Sequence, residues 1–230
     1  MKVAVLNFSG NVGKSTLARH LLAPRMNSPE VFSVESINAD GVGEQIKGKD
    51  YADLSQYLMT IKDAIVDVGA SNIEEFIKLM TLYHGSHEDF DYFVVPTVPE
   101  VKQQRDTIGT LDALAALGVP GKKIRVVFNM LPVGDNPEKV FAGIFKYAAD
   151  TKGCTVRNEA AVIKNEVFEK LKGIDKSLSE VLADQTDYRA MIESAKSDDE
   201  KEKFTRLVLV RRAAVTANAN LDVVFKVLFK

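Results

Sequence analysis

The sequence predicts a three-layer α/β fold, in which helices cover both faces of a doubly wound, mostly parallel sheet. Short apolar segments alternate with segments of helical periodicity along the first part of the chain. The short segments are apolar enough to be strands buried on both faces, which is typical of a parallel sheet wrapped by helices. The last third of the chain reads mainly as helix.

The first part of the chain contains five candidate strands and three candidate helices. The strands are predicted at residues 3–8, 31–37, 61–68, 91–96 and 123–129. The helices are predicted at 16–22, 72–83 and 100–117, where apolar residues recur at helical spacing. Pro24 ends the first helix, and Gly118 followed by Pro120 ends the third. Strand, loop and helix therefore follow one another repeatedly.

The pattern changes after about residue 135, where helical segments dominate. Helices are predicted at 137–150, 162–172, 177–195 and 203–230, with at most one further strand, at 154–156. The charge run at 196–203 is interpreted as a solvated helix start or connector rather than a docking site. We expect one domain over 1–230, made of an α/β core (1–135) and a mainly helical completion (136–230).

Composition and charge argue against several classes of function. With 30 basic and 32 acidic side chains, the net charge of −2 gives no overall field toward nucleic acid or acidic lipid. Cys154 is the single cysteine, so no intramolecular disulfide is expected, and a reducing, cytoplasmic location is favoured. No apolar window reaches the roughly 18 residues of a membrane span, and no secretory signal is recognised at the start.

The segment FSGNVGKST, residues 8–16, matches most of a phosphate-binding loop. In the pattern G-x-x-x-x-G-K-[ST], backbone N–H groups cradle the phosphates, the lysine reaches the β and γ phosphates, and the hydroxyl ligates Mg²⁺. Gly13, Lys14 and Ser15 supply the second half. Phe8 takes the place of the first glycine, and Gly10 is the candidate for the turn that this glycine would make. The alternative is a chance Gly-Lys-Ser before an ordinary helix, which the strand, loop and helix order disfavours.

Two acidic residues follow candidate strands, where a magnesium site needs carboxylates. Asp67 ends the strand at 61–68, and Gly69 after it could contact a γ-phosphate through its N–H. Asp40 follows the strand at 31–37. Each could instead be a loop carboxylate that caps the next helix. For Asp40 the two interpretations have equal weight, whereas for Asp67 we favour the metal site.

The order of these motifs resembles that of the ParA/MinD class of deviant P-loop ATPases. The segments SGNVGKST, NAD, DVGAS, VVPTVPE and VVFNM carry the resemblance, which covers roughly residues 1–130. Within the class, the chain is most similar to plasmid StbB-type stability proteins and conjugal-transfer TraL-like proteins. The resemblance implies an ATPase that forms nucleotide-dependent, face-to-face homodimers. It also implies a role in plasmid partition or conjugative DNA transfer, with a plasmid-encoded DNA-binding partner protein.

The resemblance also implies a role for each matched residue. Lys14 and Ser15 bind phosphate and Mg²⁺, Asp40 positions the attacking water, and Asp67 supports the metal together with Asp40. Asn129 contacts the adenine of ATP or ADP. The implied nucleotide contacts are Gly10, Asn11, Val12, Gly13, Lys14, Ser15, Thr16, Gly69 and Asn129. Lys14 and Asp40 are the implied catalytic residues.

The loop departs from the family pattern at two further positions. Ser9 stands where the family has a second lysine, which crosses the dimer to the partner's nucleotide, and Asn11 stands where it has a second glycine. Asparagine tolerates left-handed backbone better than most residues, but less well than glycine. A missing trans cation removes stabilisation that elsewhere in phosphoryl transfer is worth on the order of 10³-fold in rate. We therefore expect weak hydrolysis, or activation by a cation from elsewhere.

Three alternative functions remain open. A P-loop enzyme could transfer phosphate to a small molecule, although the sequence shows no motif for a second pocket. The chain could be a nucleotide-gated interaction module without turnover, which Phe8 and Ser9 favour. It could also be a membrane-recruited organiser whose last helix lies on the bilayer, although we expect that helix to be part of the core.

Basic residues offer one candidate contact with DNA. They lie in two parts of the sequence and could form one patch for non-specific binding. We expect a solvated face instead, because the net charge is close to neutral. The residues are Lys122, Lys123, Arg125, Arg206, Arg211 and Arg212.

Overall fold

The structure is a computed structural model that describes residues 1–34, 48–174 and 176–230. The strands of this part are β1 (Lys2–Val5), β2 (Glu30–Ser33), β3 (Ala64–Asp67), β4 (Tyr92–Thr97), β5 (Ile124–Leu131) and β6 (Ala161–Ile163). The helices are α1 (Lys14–Leu17), α2 (Gly48–Thr60), α3 (Ile73–Leu82), α4 (Val101–Ala116), α5 (Pro137–Val140), α6 (Ala142–Thr151), α7 (Val167–Gly173), α8 (Leu178–Ala183), α9 (Tyr188–Ser194) and α10 (Asp198–Leu228).

These strands form one parallel sheet in the order β2-β3-β1-β4-β5-β6. Strand β1 lies inside the sheet, where Val5 is in register with Asp67 of β3 and Val94 of β4. Because the strands all run in one direction, their carboxyl ends meet at a single edge, here called the carboxyl edge. The opposite edge, where the strands begin, is called the amino edge. Ligands of open α/β sheets bind outside the carboxyl edge.

Helices cover both faces of this sheet. Alternate residues along each strand enter two hydrophobic cores. Ala4 and Val66 belong to the core beneath α3 and α4, whereas Val3, Val5 and Ile65 belong to the core beneath α1, α7 and α10. This arrangement confirms the predicted three-layer, doubly wound, parallel fold.

The long helix α10 belongs to the second of these cores. Ser197 caps its start by accepting a hydrogen bond from the Glu200 N–H, so the charge run lies at a helix start as expected. Its buried side chains recur every three or four residues, at Val210, Ala214, Ala217, Leu221, Val224 and Leu228. The expectation of a core helix is confirmed. Among the described residues, no helix has the length and apolar character needed to cross a bilayer.

Arg25 connects the helix behind the candidate loop to α10. Helix α1 continues as a π-helical stretch, Ala18–Leu22, and a 3₁₀ turn, Ala23–Arg25. The guanidinium of Arg25 donates to the His20 carbonyl at 2.8 Å and to the Asp222 carboxylate at 2.8 Å. It therefore satisfies a carbonyl that the helix end leaves unpaired and fixes this helix to the C-terminal part of the chain.

Two predictions about elements in the second half were wrong. The strand predicted at 154–156 does not form, because there only Thr155 makes a bridge, to Arg125, among the described residues. The last strand is β6, which occupies the start of the helix predicted at 162–172. Three apolar residues are too few to distinguish a strand from a helix by period. In the first part of the chain, the structure also contains helix α2, which the sequence patterns did not predict.

Candidate phosphate-binding site

A cleft of about 570 Å³ lies at the carboxyl edge and contains the FSGNVGKST loop. Its walls come from the loop, the turn after β3, the end of β5 and helix α7. The lining residues are Gly10, Asn11, Gly13, Lys14, Ser15, Thr16, Ala70, Met130, Glu169 and Lys172. A larger recess of about 650 Å³ lies between α7 and α10, but none of the motif residues lines it.

Left-handed backbone in the loop falls at Asn11, with φ 58°, and at Gly13, with φ 85°. A Cβ atom on Gly13 would overlap the side-chain amide of Asn129, so glycine is required there for two reasons. Gly10 is not left-handed, and a Cβ there would meet nothing within 4 Å. The hypothesis that Gly10 makes the turn was therefore wrong. Phe8 also has a negative φ, so its position requires no glycine for backbone reasons.

Lys14 is buried at the start of α1, with 8% of its surface exposed. Its Nζ donates to the Ser9 carbonyl at 2.9 Å and lies 3.4 Å from the Asn7 carbonyl. The ammonium thus lies over the loop, at the position from which it could donate to a bound phosphate. Gly13 is the N-cap residue of α1, and the following N–H groups face the same edge. An N-terminal helix end with a lysine over it is a place for anionic oxygens.

Helix α4 holds the first residues of the loop through a buried polar network. The fully buried Asn7 side chain donates to the Pro96 carbonyl at 2.7 Å and to the Thr107 hydroxyl at 2.8 Å. It also accepts the Ser9 N–H at 2.7 Å. The Phe8 N–H donates to the Thr110 hydroxyl at 3.0 Å. The loop therefore leaves β1 with its polar groups already paired to α4.

Ser9 takes part in the same network. It is 6% exposed, and its hydroxyl donates to the Asp106 carboxylate of α4 at 2.9 Å. The side chain at the position of the family's second lysine is thus directed at an acidic residue of its own chain. A lysine placed here would meet that carboxylate first.

Asp67 ends β3 at the same edge and is 7% exposed. The backbone continues past it with the Val68 N–H donating to the Val5 carbonyl at 3.0 Å, which brings the ends of β1 and β3 together. Gly69 and Asn72 are the N-cap residues of the 3₁₀ turn and of α3 that follow. Asp67 is therefore not the N-cap residue of the helix that follows it.

Asp40 lies outside the described residues. Asn129, at the end of β5, is buried, and its amide donates to the Val12 carbonyl at 2.8 Å. In this structure Asn129 thus supports the loop backbone, and its contact with adenine stays a prediction. The next residue, Met130, has a left-handed φ of 55° and is 39% exposed in the cleft.

Two residues of α7 line the cleft and were missed by sequence reasoning. Lys172 Nζ lies 3.3 Å from a carboxylate oxygen of Glu169, and both side chains are largely exposed. Helix α7 follows β6, so its first turns start at the carboxyl edge of the sheet. The same strand-to-helix logic that located Lys14 could have located them, had β6 been predicted in its true place.

The basic residues proposed for DNA do not form one patch. Arg125 stacks on Tyr92, which contacts Phe229 just beyond the end of α10. Arg211 lies 18 residues before Phe229, so about 27 Å of helix separates them. The basic residues of α10 also have acidic partners of their own, since Arg206 pairs with Glu202 at 3.2 Å.

Comparison with solved structures places the fold in a known class. A chain of the MinC:MinD cell division protein complex of Aquifex aeolicus is 13% identical, with a TM-score of 0.53 and coverage of 94% of both chains. The chain described here thus has the fold of the MinD/ParA P-loop NTPases. At this identity the likeness concerns the fold alone.

Two further solved structures are similar at lower scores. MinD of Pyrococcus horikoshii, complexed with Mg-ADP, is 12% identical, with a TM-score of 0.48 and coverage of 90% of this chain and 93% of that one. A putative plasmid partition protein of Borrelia burgdorferi, bound to AMPPNP, is 13% identical, with a TM-score of 0.47 and coverage of 91% and 96%. No protein-family model and no curated protein matches the chain.

Proposed function

We propose that the chain is an ATP-binding, slowly hydrolysing ATPase of the ParA/MinD kind. The observation that carries the proposal is the loop at the carboxyl edge. There Gly13 is fixed beneath Asn129, and the Lys14 ammonium lies over the loop carbonyls. A chance Gly-Lys-Ser would not need a glycine at that point or a buried lysine beside it. The parallel α/β fold supports the same proposal, because the loop lies at the carboxyl edge, where ligands of open α/β sheets bind.

The residues of the cleft suit Mg²⁺ and a polyphosphate. Lys14 would donate to phosphate oxygens, and the N–H groups at the start of α1 would donate to others. The hydroxyl of Ser15 and the carboxylate of Asp67 are oxygen donors at the same edge, as Mg²⁺ prefers. The bound metal would neutralise charge that develops on the phosphates. Asp40 is proposed to orient the attacking water, and Gly69 to contact the γ-phosphate through its N–H.

Slow turnover follows from the environment of Ser9. Preorganised positive charge is usually the largest catalytic contribution in such sites, and Ser9 offers a hydroxyl that is already bonded to Asp106. Lys172 of α7 lines the cleft and is the candidate for a cation supplied in cis. If it has this role, Lys172→Met should slow single-turnover hydrolysis while changing ATP affinity much less. If it has no such role, the rate stays unchanged.

For the cellular role, we propose nucleotide-dependent homodimers that act in plasmid segregation or stability, or in conjugative DNA transfer. A plasmid-encoded DNA-binding partner completes this proposal, and the cytoplasm is the proposed location. The support is the sequence resemblance over residues 1–130 together with the fold. A nucleotide-gated module without turnover is the second candidate, and the buried Ser9 favours it because no lysine stands at that position.

Calorimetric titration with Mg·ATP and Mg·GTP tests the central proposal. We expect ATP or ADP to bind more tightly than GTP, because no Asn-Lys-x-Asp sequence for a guanine site follows Asn129. Lys14→Ala should abolish binding while the protein stays folded, since Lys14 contacts the loop and not the hydrophobic core. Lys146→Ala is the matched control, because the side chain of Lys146 is 76% exposed on α6. Equal binding of GTP, or full binding by Lys14→Ala, would contradict the proposal.

A further inference from the structure

A second recess lies at the amino edge of the sheet, away from the phosphate loop. Its volume is about 480 Å³, within the usual range for small-molecule sites. It forms where β4 and β5 begin, so the length of β4, roughly 17 Å by strand rise, separates it from the carboxyl edge. The lining residues are Met1, Asp91, Tyr92, Lys122, Lys123 and Arg125.

The guanidinium of Arg125 lines this recess in an unusual state. Arg125 is only 9% exposed, and its Nε is buried with no hydrogen-bond acceptor among the described residues. Its one polar side-chain interaction in that part of the chain is a cation–π contact with Tyr92, 5.1 Å from the ring centre. A buried charge without a hydrogen-bonding counter-ion is costly. An arginine held in this way presents N–H donors in a planar fork that matches an oxyanion.

The other charges around the recess are mostly engaged, except for Lys122. The N-terminal ammonium pairs with Asp63 at 2.8 Å, and Lys123 Nζ donates to the Phe90 carbonyl at 2.7 Å. The Asp91 carboxylate accepts the Lys2 N–H at 2.7 Å. Lys122 has neither an ion pair nor a side-chain hydrogen bond to any described residue. Within the described part of the chain, the recess therefore combines two cations that have no ion pair, Arg125 inside and Lys122 at its wall.

We propose that this recess binds the phosphate group of a small molecule, as a second anion site distinct from the phosphate loop. A phosphate carries close to two negative charges and three terminal oxygens at neutral pH. It can therefore accept from the guanidinium fork and from Lys122 at once, whereas a carboxylate would leave one cation unmatched. The anion would bind to a single buried arginine inside a recess, whereas a nucleic-acid backbone is usually bound by a row of exposed cations. That geometry favours a small ligand over a nucleic-acid backbone.

The test uses inorganic phosphate as the probe and the full chain in its Lys14→Ala form, so that binding at the loop does not contribute. We expect phosphate to raise the melting temperature above a chloride control of equal ionic strength, as a ligand of the folded state must. Adding Lys122→Met should weaken the phosphate affinity about tenfold, which is 1.4 kcal/mol, and adding Arg125→Gln should abolish it. Lys146→Met is the matched control and should change nothing.

Three results would overturn the proposal. Phosphate could fail to stabilise the Lys14→Ala protein, or its effect could survive both substitutions. A short DNA duplex could also bind in a way that depends on Lys122 while inorganic phosphate does not, which would make the recess a nucleic-acid contact. Because Lys122 lies at the surface, Lys122→Met remains informative even if Arg125→Gln fails to fold. Failure of ATP binding at the loop would leave this result untouched.

Discussion

The first part of the phosphate loop, residues 7–9, differs from the second part, residues 10–15, in what holds it in place. The first part departs from the P-loop pattern at Phe8 and is tied by side chains to α4. The second part matches the pattern, and the Asn129 amide supports its backbone by donating to the Val12 carbonyl. Lys14, from this second part, donates back to the Ser9 carbonyl of the first part. The comparison indicates that a motif residue can be lost where neighbouring elements fix the backbone. It cannot be lost where the backbone itself must be left-handed and close-packed.

Among the substitutions that test this difference between the two parts of the loop, Gly13→Ala should have the largest effect. The added methyl group would overlap Asn129 and the backbone would keep a left-handed φ, so strain of about 1–3 kcal/mol falls on the loop itself. We expect ATP affinity to fall on the order of 100-fold, together with a lower melting temperature. Gly10→Ala is the matched control, since a Cβ there meets nothing within 4 Å. Calorimetry on both variants decides, and an equal loss in the two would refute the distinction.

Asn7→Ala breaks the support of the first part of the loop. It removes two donated hydrogen bonds and one accepted bond from a fully buried position, and it leaves the partner groups without their bonds. We expect the free energy of unfolding to fall by about 3 kcal/mol. Asn158→Ala, at an exposed asparagine that bonds Glu138, should change it by less than about 0.5 kcal/mol. Urea unfolding of both variants measures the difference. Similar small losses would mean that α4 does not hold the loop.

His20 lies in the helical stretch that follows the second part of the loop, and it should make the protein less stable in acid. Burial, and then the charge of Arg19, lower the pKa of His20 to about 4 from 6.5. In the unfolded chain His20 therefore becomes protonated below pH 6.5, whereas in the folded chain it stays neutral down to about pH 4. The stabilisation is complete above pH 6.5 and is lost as the pH falls through that window, by about 2 kcal/mol at pH 5.

His20→Gln isolates this contribution, because glutamine keeps an acceptor for the Leu178 N–H but does not titrate. Stability curves of the wild type and His20→Gln should converge between pH 6.5 and pH 5. His84→Gln, at an exposed histidine, is the control for the loss of an imidazole. Parallel curves for His20→Gln would show that this histidine is not the titrating group.

Ser9→Lys should give the smallest change. A lysine here is expected to pair with Asp106 of its own chain, so ATP turnover should rise by less than about tenfold. Adding Asp106→Asn should release the lysine. If the protein forms the proposed face-to-face dimer, the gain should then grow with protein concentration in single-turnover assays. A brisk wild-type rate that neither dilution nor the substitution changes would show that Ser9 is a tolerated variant in an ordinary ATPase.

Much of the fold could be predicted because its elements have clear local signals. Strands β3, β4 and β5 coincide with mainly apolar runs of the sequence, and α3 and α4 carry regular helical periods. Strand β6 could not be placed, because three residues show no period and its partner strand is far away in sequence. Likewise, the roles of Glu169 and Lys172 in lining the cleft depend on where β6 leads.

The sequence by itself determined the position of the loop, its Gly-Lys-Ser half, and the acidic end of β3, because strand order and chain direction bring these ends to one edge. Tertiary structure alone decided which residues make the loop's shape possible. Gly13 is required because Asn129, 116 residues later, lies against it, and Phe8 is tolerated because Thr110 accepts its N–H. Arg125 shows the same limit, since only the packing of β5 at the amino edge leaves its Nε without an acceptor among the described residues. Local sequence carries propensity and pattern, whereas contacts between distant segments exist only after the chain has packed.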